Sequence, residues 1–351
     1  MKAAVVEGIG RVSCKDWPEP EVTKGKVLIR PVYAGICGSD LHVFHGEFGD
    51  RVSFPLIPGH EIAAVVEDAS VEGTALKVGD RVVVDPVEPC RRCIACRTGQ
   101  MSACRRLRLL GVDTSGGFAQ RLAASPENVF PIPAEVPLQY AALVEPYAIG
   151  LHAVRRALIQ PGEVVVIYGM GRLGLAVLEV VRWTGPSKVV AVDVEDFKLD
   201  IARRIGADVI VNARGEDPVG VVMDLTDGQG ADRVIEAVGK ATSVPERRPP
   251  VTECARMIRP AGRVVVMGQG PEEESVDWRA FVWKEAEIVT SRVTLGEFPR
   301  AVQMLAEGKF HPDLLITHTF ALEEVARAYA LAEKESPEVI KVQLEISGRP
   351  T

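Results

Sequence analysis

Residues 164–174 read Val164-Val165-Val166-Ile167-Tyr168-Gly169-Met170-Gly171-Arg172-Leu173-Gly174. The apolar, largely β-branched run predicts a buried strand, and the three glycines after it open a helix predicted from Leu173 to Trp183. At the spacing G-x-G-x-x-G, the first glycine permits a tight turn and the second lets the backbone approach a pyrophosphate. The third lets the helix pack closely on its strand, and the positive end of that helix attracts the phosphates. A glycine turn that binds nothing can carry the same letters, so the spacing alone is a weak signal. Here a second strand follows, Lys188 to Asp193, and it ends in an acid nineteen residues past Gly174. Asp193 is placed to accept hydrogen bonds from adenosine ribose hydroxyls, so the segment predicts a dinucleotide site.

Working outward, strands and helices alternate: a helix from Ala148 to Leu158, a helix from Lys198 to Ile205, a strand from Val209 to Val211. Further strands are predicted at Arg233 to Ala237, Arg263 to Met267 and Glu287 to Thr290, with a helix near Thr252 to Ile258. Such alternation implies right-handed crossovers and a parallel sheet. Before it, short runs such as Lys26 to Arg30, Ile62 to Glu67 and Arg81 to Asp85 sit between Gly, Pro and Asp, the texture of a strand-and-turn domain. No helix of ordinary length is predicted before Tyr140. The last sixty residues return to mixed structure, with helices near Glu297 to Glu307 and Leu322 to Lys334 and a strand at Val339 to Glu345, and are expected to fold back on the first part. Val244 to Pro250, rich in Pro and Arg, is expected to be a solvent-facing loop.

At 351 residues the chain exceeds what one core usually supports, so two domains are expected. Its 47% hydrophobic and 25% charged residues fit an ordinary globular protein. A net charge of −7 with no basic stripe argues against a nucleic-acid partner. The start lacks a basic region followed by an apolar run, and no apolar stretch reaches the ~18 residues of a membrane span, so a cytoplasmic location is expected.

Four of the seven cysteines, Cys90, Cys93, Cys96 and Cys104, fall within fifteen residues as C-x2-C-x2-C-x7-C. Arms this short let four thiolates converge on a tetrahedral zinc; disulfides are the alternative, but two-residue gaps would strain them. Four thiolates leave no open position for water or substrate, so such a site braces a lobe and the chemistry must lie elsewhere. At the dinucleotide site, Glu195 and Asp196 follow Asp193 and no arginine stands where a 2′-phosphate would need one, an arrangement that repels the extra phosphate of NADP and favours NAD. Both acids also suit a helix N-terminus.

Cys37 lies in Gly35-Ile36-Cys37-Gly38-Ser39-Asp40-Leu41-His42 and His60 in Pro58-Gly59-His60-Glu61. Singly, such residues are more often structural than ligands. Together with the four-cysteine segment, the glycine turn and Asp193, in this order and spacing, the whole chain resembles the zinc-dependent medium-chain dehydrogenase superfamily. The resemblance implies an α/β architecture: a GroES-like, β-rich catalytic domain over 1–149 and 292–351, and a Rossmann doubly wound parallel-sheet domain over 150–291.

It further implies two zinc ions per chain, one structural and one catalytic, the latter on Cys37, His60 and a third ligand from the start of the cofactor domain. Simple alcohol dehydrogenases place a second cysteine there, whereas this chain offers Glu145, as does the polyol, sugar-acid and threonine dehydrogenase branch. Glu61 can also approach the metal in that branch, so the choice between Glu61 and Glu145 is open. In the family, zinc acts as a Lewis acid on the bound hydroxyl while NAD accepts hydride. By the same resemblance Ser39 touches the substrate oxygen, His42 passes the proton to solvent through the cofactor ribose, and Asp40 orients a metal-bound histidine. Turn-forming Ser and Asp and a surface His remain the plainer reading of those three. Gly169, Gly171, Arg172, Leu173, Gly174, Asp193 and Lys198 are the expected cofactor contacts.

Glu145-Pro146-Tyr147-Ala148-Ile149, His152 to Ala157 and Leu110-Gly111-Val112-Asp113 resemble enzymes that oxidise the C5 hydroxyl of L-galactonate or L-gulonate. Arg292 matches an arginine near substrate in polyol dehydrogenases, or forms a surface ion pair. Threonine, sorbitol-like polyols and butanediol are the rival substrates. The partner is a small molecule, and the resemblance implies a homotetramer built through the edge of the parallel sheet. A redox-inactive NAD- and zinc-binding protein on the same fold is the reading of another class; the complete set Cys37, Ser39, His42, His60 and Glu145 argues against it.

Overall fold

The computed structural model describes residues 1–239, 247–268, 270, 273, 275–334, 336 and 338–348. The chain divides into two compact units, Met1–Ala148 with Thr294–Thr351, and Ile149–Val293.

The first unit is built on a seven-stranded sheet. Along it lie Ile316–Ala321, Lys341–Glu345, Val27–Gly35, Glu61–Asp68, Arg81–Val84 and Val129–Pro131, while Leu122–Ala124 also pairs with Val27–Gly35. The register at its centre sets the surroundings of Glu61. Gly35 pairs with Glu61 on one side and with Gln343 on the other, both antiparallel. A Cβ on Gly35 would fall 1.9 Å from the Glu61 carboxylate, so only glycine leaves room for that side chain to lie across the strand. The late segment therefore does fold back on the early one, through a strand that begins at Lys341.

Among the helices that were not expected, such as Pro218–Leu225 in the second unit, one bears on the site. Gly38–His45 forms eight residues of α-helix directly after the strand Val27–Gly35. Gly38, Ser39 and Asp40 suggest a turn when read locally, but Asp40 Oδ2 accepts from the Cys37 amide at 2.7 Å and closes the first turn, and Gly46 at φ 73° ends the helix. The helix presents Ser39, Asp40 and His42 from one short, capped element.

The second unit is the predicted parallel sheet. Its six strands run in the order Val209–Asn212, Lys188–Asp193, Val164–Tyr168, Ala231–Glu236, Ile258–Val266, Glu287–Thr290, every pairing parallel. The order reverses at Val164–Tyr168, the switch point at which open sheets of this kind bind ligands beyond their carboxyl ends. Val166, Val190, Val192, Val211, Val234 and Val264 fill the core on one face.

The expectation of a solvent-facing loop at 244–250 holds at the exposed Arg248 and needs correction on either side of it. Residues 244–246 lie outside the described residues, but Arg247 is tied inward, donating to Glu216 O at 2.8 Å, Asp217 Oδ1 at 3.1 Å and Glu253 Oε2 at 3.2 Å. Pro250 is buried and begins the helix Pro250–Met257. A guanidinium with five donors finds its acceptors on neighbouring elements, which a local reading cannot see.

Candidate functional site

The four-cysteine segment gathers its thiols as the spacing required. Cys93 Sγ lies 3.5 Å from Cys96 Sγ and 3.9 Å from Cys104 Sγ, and Cys90 Sγ lies 4.0 Å from Cys96 Sγ. A tetrahedral zinc with ~2.3 Å bonds places its sulfurs about 3.8 Å apart, so the set fits that ion. Among the described residues all seven cysteines are free of disulfides. Backbone amides of Cys90 and Arg106 point at Cys104 Sγ at 3.3 and 3.4 Å, as thiolates require. The thiols do not share charge evenly: amide donors pull Cys93 down to about 6, whereas desolvation and the neighbouring thiols push Cys96 up to about 12.

The second cluster is assembled from distant segments. Cys37 caps the helix Gly38–His45; His60 and Glu61 lead into a central strand; Glu145 stands in the first turn of the helix Val144–Ala157. The ligand atoms of Cys37, His60 and Glu61 all lie within 4.8 Å of one another. Asp40, fully buried, binds the two ligand-bearing segments together: it accepts from the Cys37 amide and, through Oδ1, from the Gly59 amide at 3.0 Å. The same oxygen stands 3.5 Å from His60 Nδ1. Gly59, at φ 94°, has no space for a Cβ, which would meet Phe118 at 2.3 Å. Ser39 Oγ lies 3.2 Å from His60 Nε2, and His42 Nδ1 is bonded to the Glu47 carboxylate.

Charge distinguishes the two glutamates. Glu61 is bonded through both oxygens to the buried ammonium of Lys341, at 2.5 and 2.7 Å. Glu145 is 5% exposed, and its Oε2 has no hydrogen-bond partner among the described residues. Burial, joined by the charges of Glu61 and Cys37, holds Glu145 well above the ordinary carboxylate range, against the pull of His60 and Lys341. Burial also disfavours a charged His60, but Asp40 and Cys37 outweigh it and raise its pKa well above the usual value. Burial raises the Cys37 thiol, and the hydrogen bond and charge of His60 bring it back to about 7. A half-buried thiol with a buried imidazole, two buried carboxylates and one lysine carries more negative charge than a protein interior tolerates, and a divalent cation balances it. The residues present therefore fit zinc.

In the second unit, Gly169 adopts φ 102°, and a Cβ on Gly174 would fall 1.7 Å from Gly169 O, so strand and helix touch as the motif demands. A Cβ on Gly171 would meet nothing within 4 Å, which leaves the approach to the turn open. Arg172 and Leu173 begin the helix Arg172–Val181, and Lys198 is the third residue of the helix Asp196–Ile205. Asp193 holds the turn as well as facing it: Oδ2 accepts from the Met170 amide at 2.6 Å, and Oδ1 from the Val194 and Glu195 amides at 2.8 and 3.0 Å. With three acceptor sites used, a carboxylate retains one for a ribose hydroxyl.

Three residues escaped the reading of the sequence. Lys341 gave no signal, being 280 residues from Glu61. Glu47 is five residues beyond His42, a spacing that ordinary surface helices also show. Arg214 bears on the expectation that no arginine stands where a 2′-phosphate would need one: from the loop after the next strand it reaches the Val194 carbonyl at 2.9 Å and Glu195 at 2.6 Å.

Comparison with known proteins agrees with this geometry. Residues 23–134 match the alcohol dehydrogenase GroES-like domain, and residues 173–307 match the zinc-binding dehydrogenase family. Sorbitol dehydrogenase of Bacillus subtilis is 30% identical over 98% of this chain and 97% of its own length. The crystal structure of an Escherichia coli alcohol dehydrogenase (rspB) complexed with NADH superimposes with TM-score 0.88 at 31% identity, covering 98% of this chain and 99% of that one. L-idonate 5-dehydrogenase of Escherichia coli gives TM-score 0.86 at 26% identity, covering 98% and 97%. The chain belongs to the zinc-dependent medium-chain dehydrogenases, in their polyol dehydrogenase branch, as an oxidoreductase of alcohol groups that uses zinc and a nicotinamide dinucleotide.

Proposed function

We propose that this protein oxidises a secondary hydroxyl of a polyol or sugar acid to the ketone, passing hydride to NAD, with the C5 hydroxyl of L-galactonate or L-gulonate as the substrate class to try first. The observation that carries the reading is the buried Glu145 with one carboxylate oxygen unpartnered among the described residues, near enough to interact electrostatically with His60 and Cys37, while Glu61, the carboxylate that stands within 4.8 Å of the Cys37 and His60 ligand atoms, is engaged by Lys341. A glutamate in place of the second cysteine belongs to the polyol branch, and the names of the sorbitol and L-idonate enzymes support the same class.

In this reading Cys37, His60 and Glu145 hold the catalytic zinc, and Glu61 stays with Lys341. When bound, zinc supplies Lewis acidity that lowers the pKa of the substrate hydroxyl, and NAD supplies the hydride acceptor. Asp40 fixes the loop that carries Cys37 against the one that carries His60. Ser39 would take up the hydroxyl proton as it gives up its own, and His42, one turn further along the helix and partly exposed, would receive the relayed proton and deliver it to solvent. Glu47 on Nδ1 leaves Nε2 as the atom that exchanges that proton. Per turnover one C–H pair of electrons goes to NAD and one proton to water. Catalysis belongs to residues 1–149 and 292–351 and cofactor binding to 150–291. Assembly as a homotetramer and a cytoplasmic location are parts of the same proposal. Sedimentation of the purified protein tests the first; among the described residues no helix is long and apolar enough to cross a membrane.

NADH formation by zinc-loaded protein should be followed with L-galactonate, L-gulonate, sorbitol, threonine, 2,3-butanediol and ethanol. A preference for a sugar acid or polyol that Cys37→Ala abolishes is the expected result. Turnover of ethanol or threonine above all the polyols would overturn the substrate class, and silence with every compound would overturn catalysis by this site.

A further inference from the structure

We propose that Arg214 is a binding residue for a 2′-phosphate, held in check by Glu195, so that Glu195 as well as Asp193 sets the preference for NAD over NADP. The proposal rests on the reading of the Gly169–Gly174 turn as a dinucleotide site.

Asp193 and Asn212 are register partners at the carboxyl ends of adjacent parallel strands. Glu195 and Arg214 each lie two residues beyond, so the chain places an acid and a base at matching steps past the residue that faces the ribose. Arg214 is fixed there: its own amide donates to Asn212 Oδ1 at 2.9 Å, Nε donates to Val194 O at 2.9 Å and Nη2 to Glu195 Oε1 at 2.6 Å. Two of its five donors are thus used, and the side chain is 52% exposed, which leaves one edge of the guanidinium for a ligand. A planar fork of this kind matches phosphate oxygens.

The three acids that crowd this edge have different duties. Asp193 is satisfied by three backbone amides, and Asp196 accepts from Asn212 Nδ2 at 2.6 Å. Of the three, Glu195 is the one that meets a cation among the described residues. It therefore does more than add negative charge: it cancels the one positive group among these side chains that could attract a 2′-phosphate. With the Glu195 charge removed, the Arg214 guanidinium stays within one residue of Asp193 through its bond to the Val194 carbonyl, with its outer nitrogens released.

The test is a double-mutant cycle read by binding. Dissociation constants of the full-length protein for 5′-AMP and for adenosine 2′,5′-bisphosphate, measured by calorimetry, isolate the extra phosphate without involving the nicotinamide or turnover. Glu195→Gln is expected to raise the affinity ratio in favour of the bisphosphate about tenfold, and Glu195→Gln with Arg214→Ala to return it to the wild-type value. The gain should shrink with added salt, as it must for a partly exposed charge pair. NAD and NADP should follow the same order. Equal ratios in Glu195→Gln and the double variant would overturn the proposal while 5′-AMP and NAD binding left the dinucleotide reading intact. A wild-type protein that bound neither would overturn both. Should Glu195→Gln melt early, Glu195→Ser at the same position carries the identical expectation.

Discussion

The four-cysteine segment and the Cys37 cluster both gather metal-binding side chains, and they do so by opposite means. The first draws all its ligands from fifteen consecutive residues, and among the described residues its sulfurs meet backbone amides and one another. The second draws on three separate elements, is buried except for a half-buried Cys37, mixes sulfur, nitrogen and carboxylate, and includes a lysine that neutralises one of its two acids. A closed set of like ligands serves stability, because nothing remains to be exchanged. A mixed set with one unpartnered carboxylate oxygen can accept a substrate beside the metal. The contrast predicts that each cluster can be lost without the other.

The largest effect tests that separation. Cys37→Ala is expected to lower turnover at least about 10³-fold and to reduce the zinc content from two per chain to one, with the 90–104 segment as resistant to proteolysis as in the unsubstituted protein. Cys93→Ser should also lose one zinc, but its cost should appear as a lower unfolding temperature and easier proteolysis of the 90–104 segment. Metal analysis of both proteins, set beside activity and melting, decides the matter. If Cys93→Ser lost turnover while keeping its melting temperature, the division of labour between the clusters would be wrong.

The same contrast governs how much could be read in advance. The cysteine spacing and the strand, glycine turn and helix at 164–174 are local patterns, and the structure reproduces them almost residue for residue. Lys188–Asp193 and Glu287–Thr290 were legible for the same reason, being apolar runs bounded by turn residues. The helix Gly38–His45 was not, because Gly-Ser-Asp suggests a turn until Asp40 is seen to cap it. Cys37, His60 and Glu145 could be grouped only through resemblance to a family, since nothing in their separate surroundings brings them together. What makes Glu61 differ from Glu145 was wholly illegible: it depends on antiparallel pairing at Gly35 and on Lys341 arriving from the far end of the chain. Ion pairs across a sheet leave no periodic trace in a sequence.

Lys341 gives the next largest effect. Replacing it by Met leaves Glu61 buried with no lysine beside it, and breaking a buried pair from one side costs about 3 kcal/mol or more. Urea unfolding of the zinc-loaded protein should show that loss, and Glu61→Gln added to Lys341→Met should recover most of it. A cost below about 1 kcal/mol would sharpen the picture in the other direction. It would mean that the metal, not Lys341, carries the Glu61 charge, and the assignment of Glu145 as the zinc ligand would fall.

The smallest effect comes from a half-buried acid that meets no cation among the described residues, and it shows in milder form what the carboxylates of the Cys37 cluster would face without one. Asp85 follows the strand Arg81–Val84 and accepts from neutral donors, the Val87 amide at 3.0 Å and the Thr294 hydroxyl at 3.3 Å. Burial pushes its pKa up to about 6; the Val87 and Thr294 bonds lower it only in part, and Glu297 adds to the rise. Because the folded state then binds the proton more tightly than the unfolded chain, ionisation of Asp85 opposes folding. Stability should fall as pH rises from about 4 to about 6 and be flat in this group above that. The full shift corresponds to about 3 kcal/mol at neutral pH. Asp85→Asn keeps an acceptor for the Val87 amide and abolishes the charge, so it should stabilise the protein by about 1 kcal/mol at pH 7 and by almost nothing at pH 4. Urea midpoints of both proteins at the two pH values measure this difference directly. An advantage of equal size at both would show that Asp85 ionises without penalty, and that burial alone does not set the charge of acids in this sheet. The case for a cation beside Glu145 would lose its physical ground at the same time, since both rest on the cost of an uncompensated buried carboxylate.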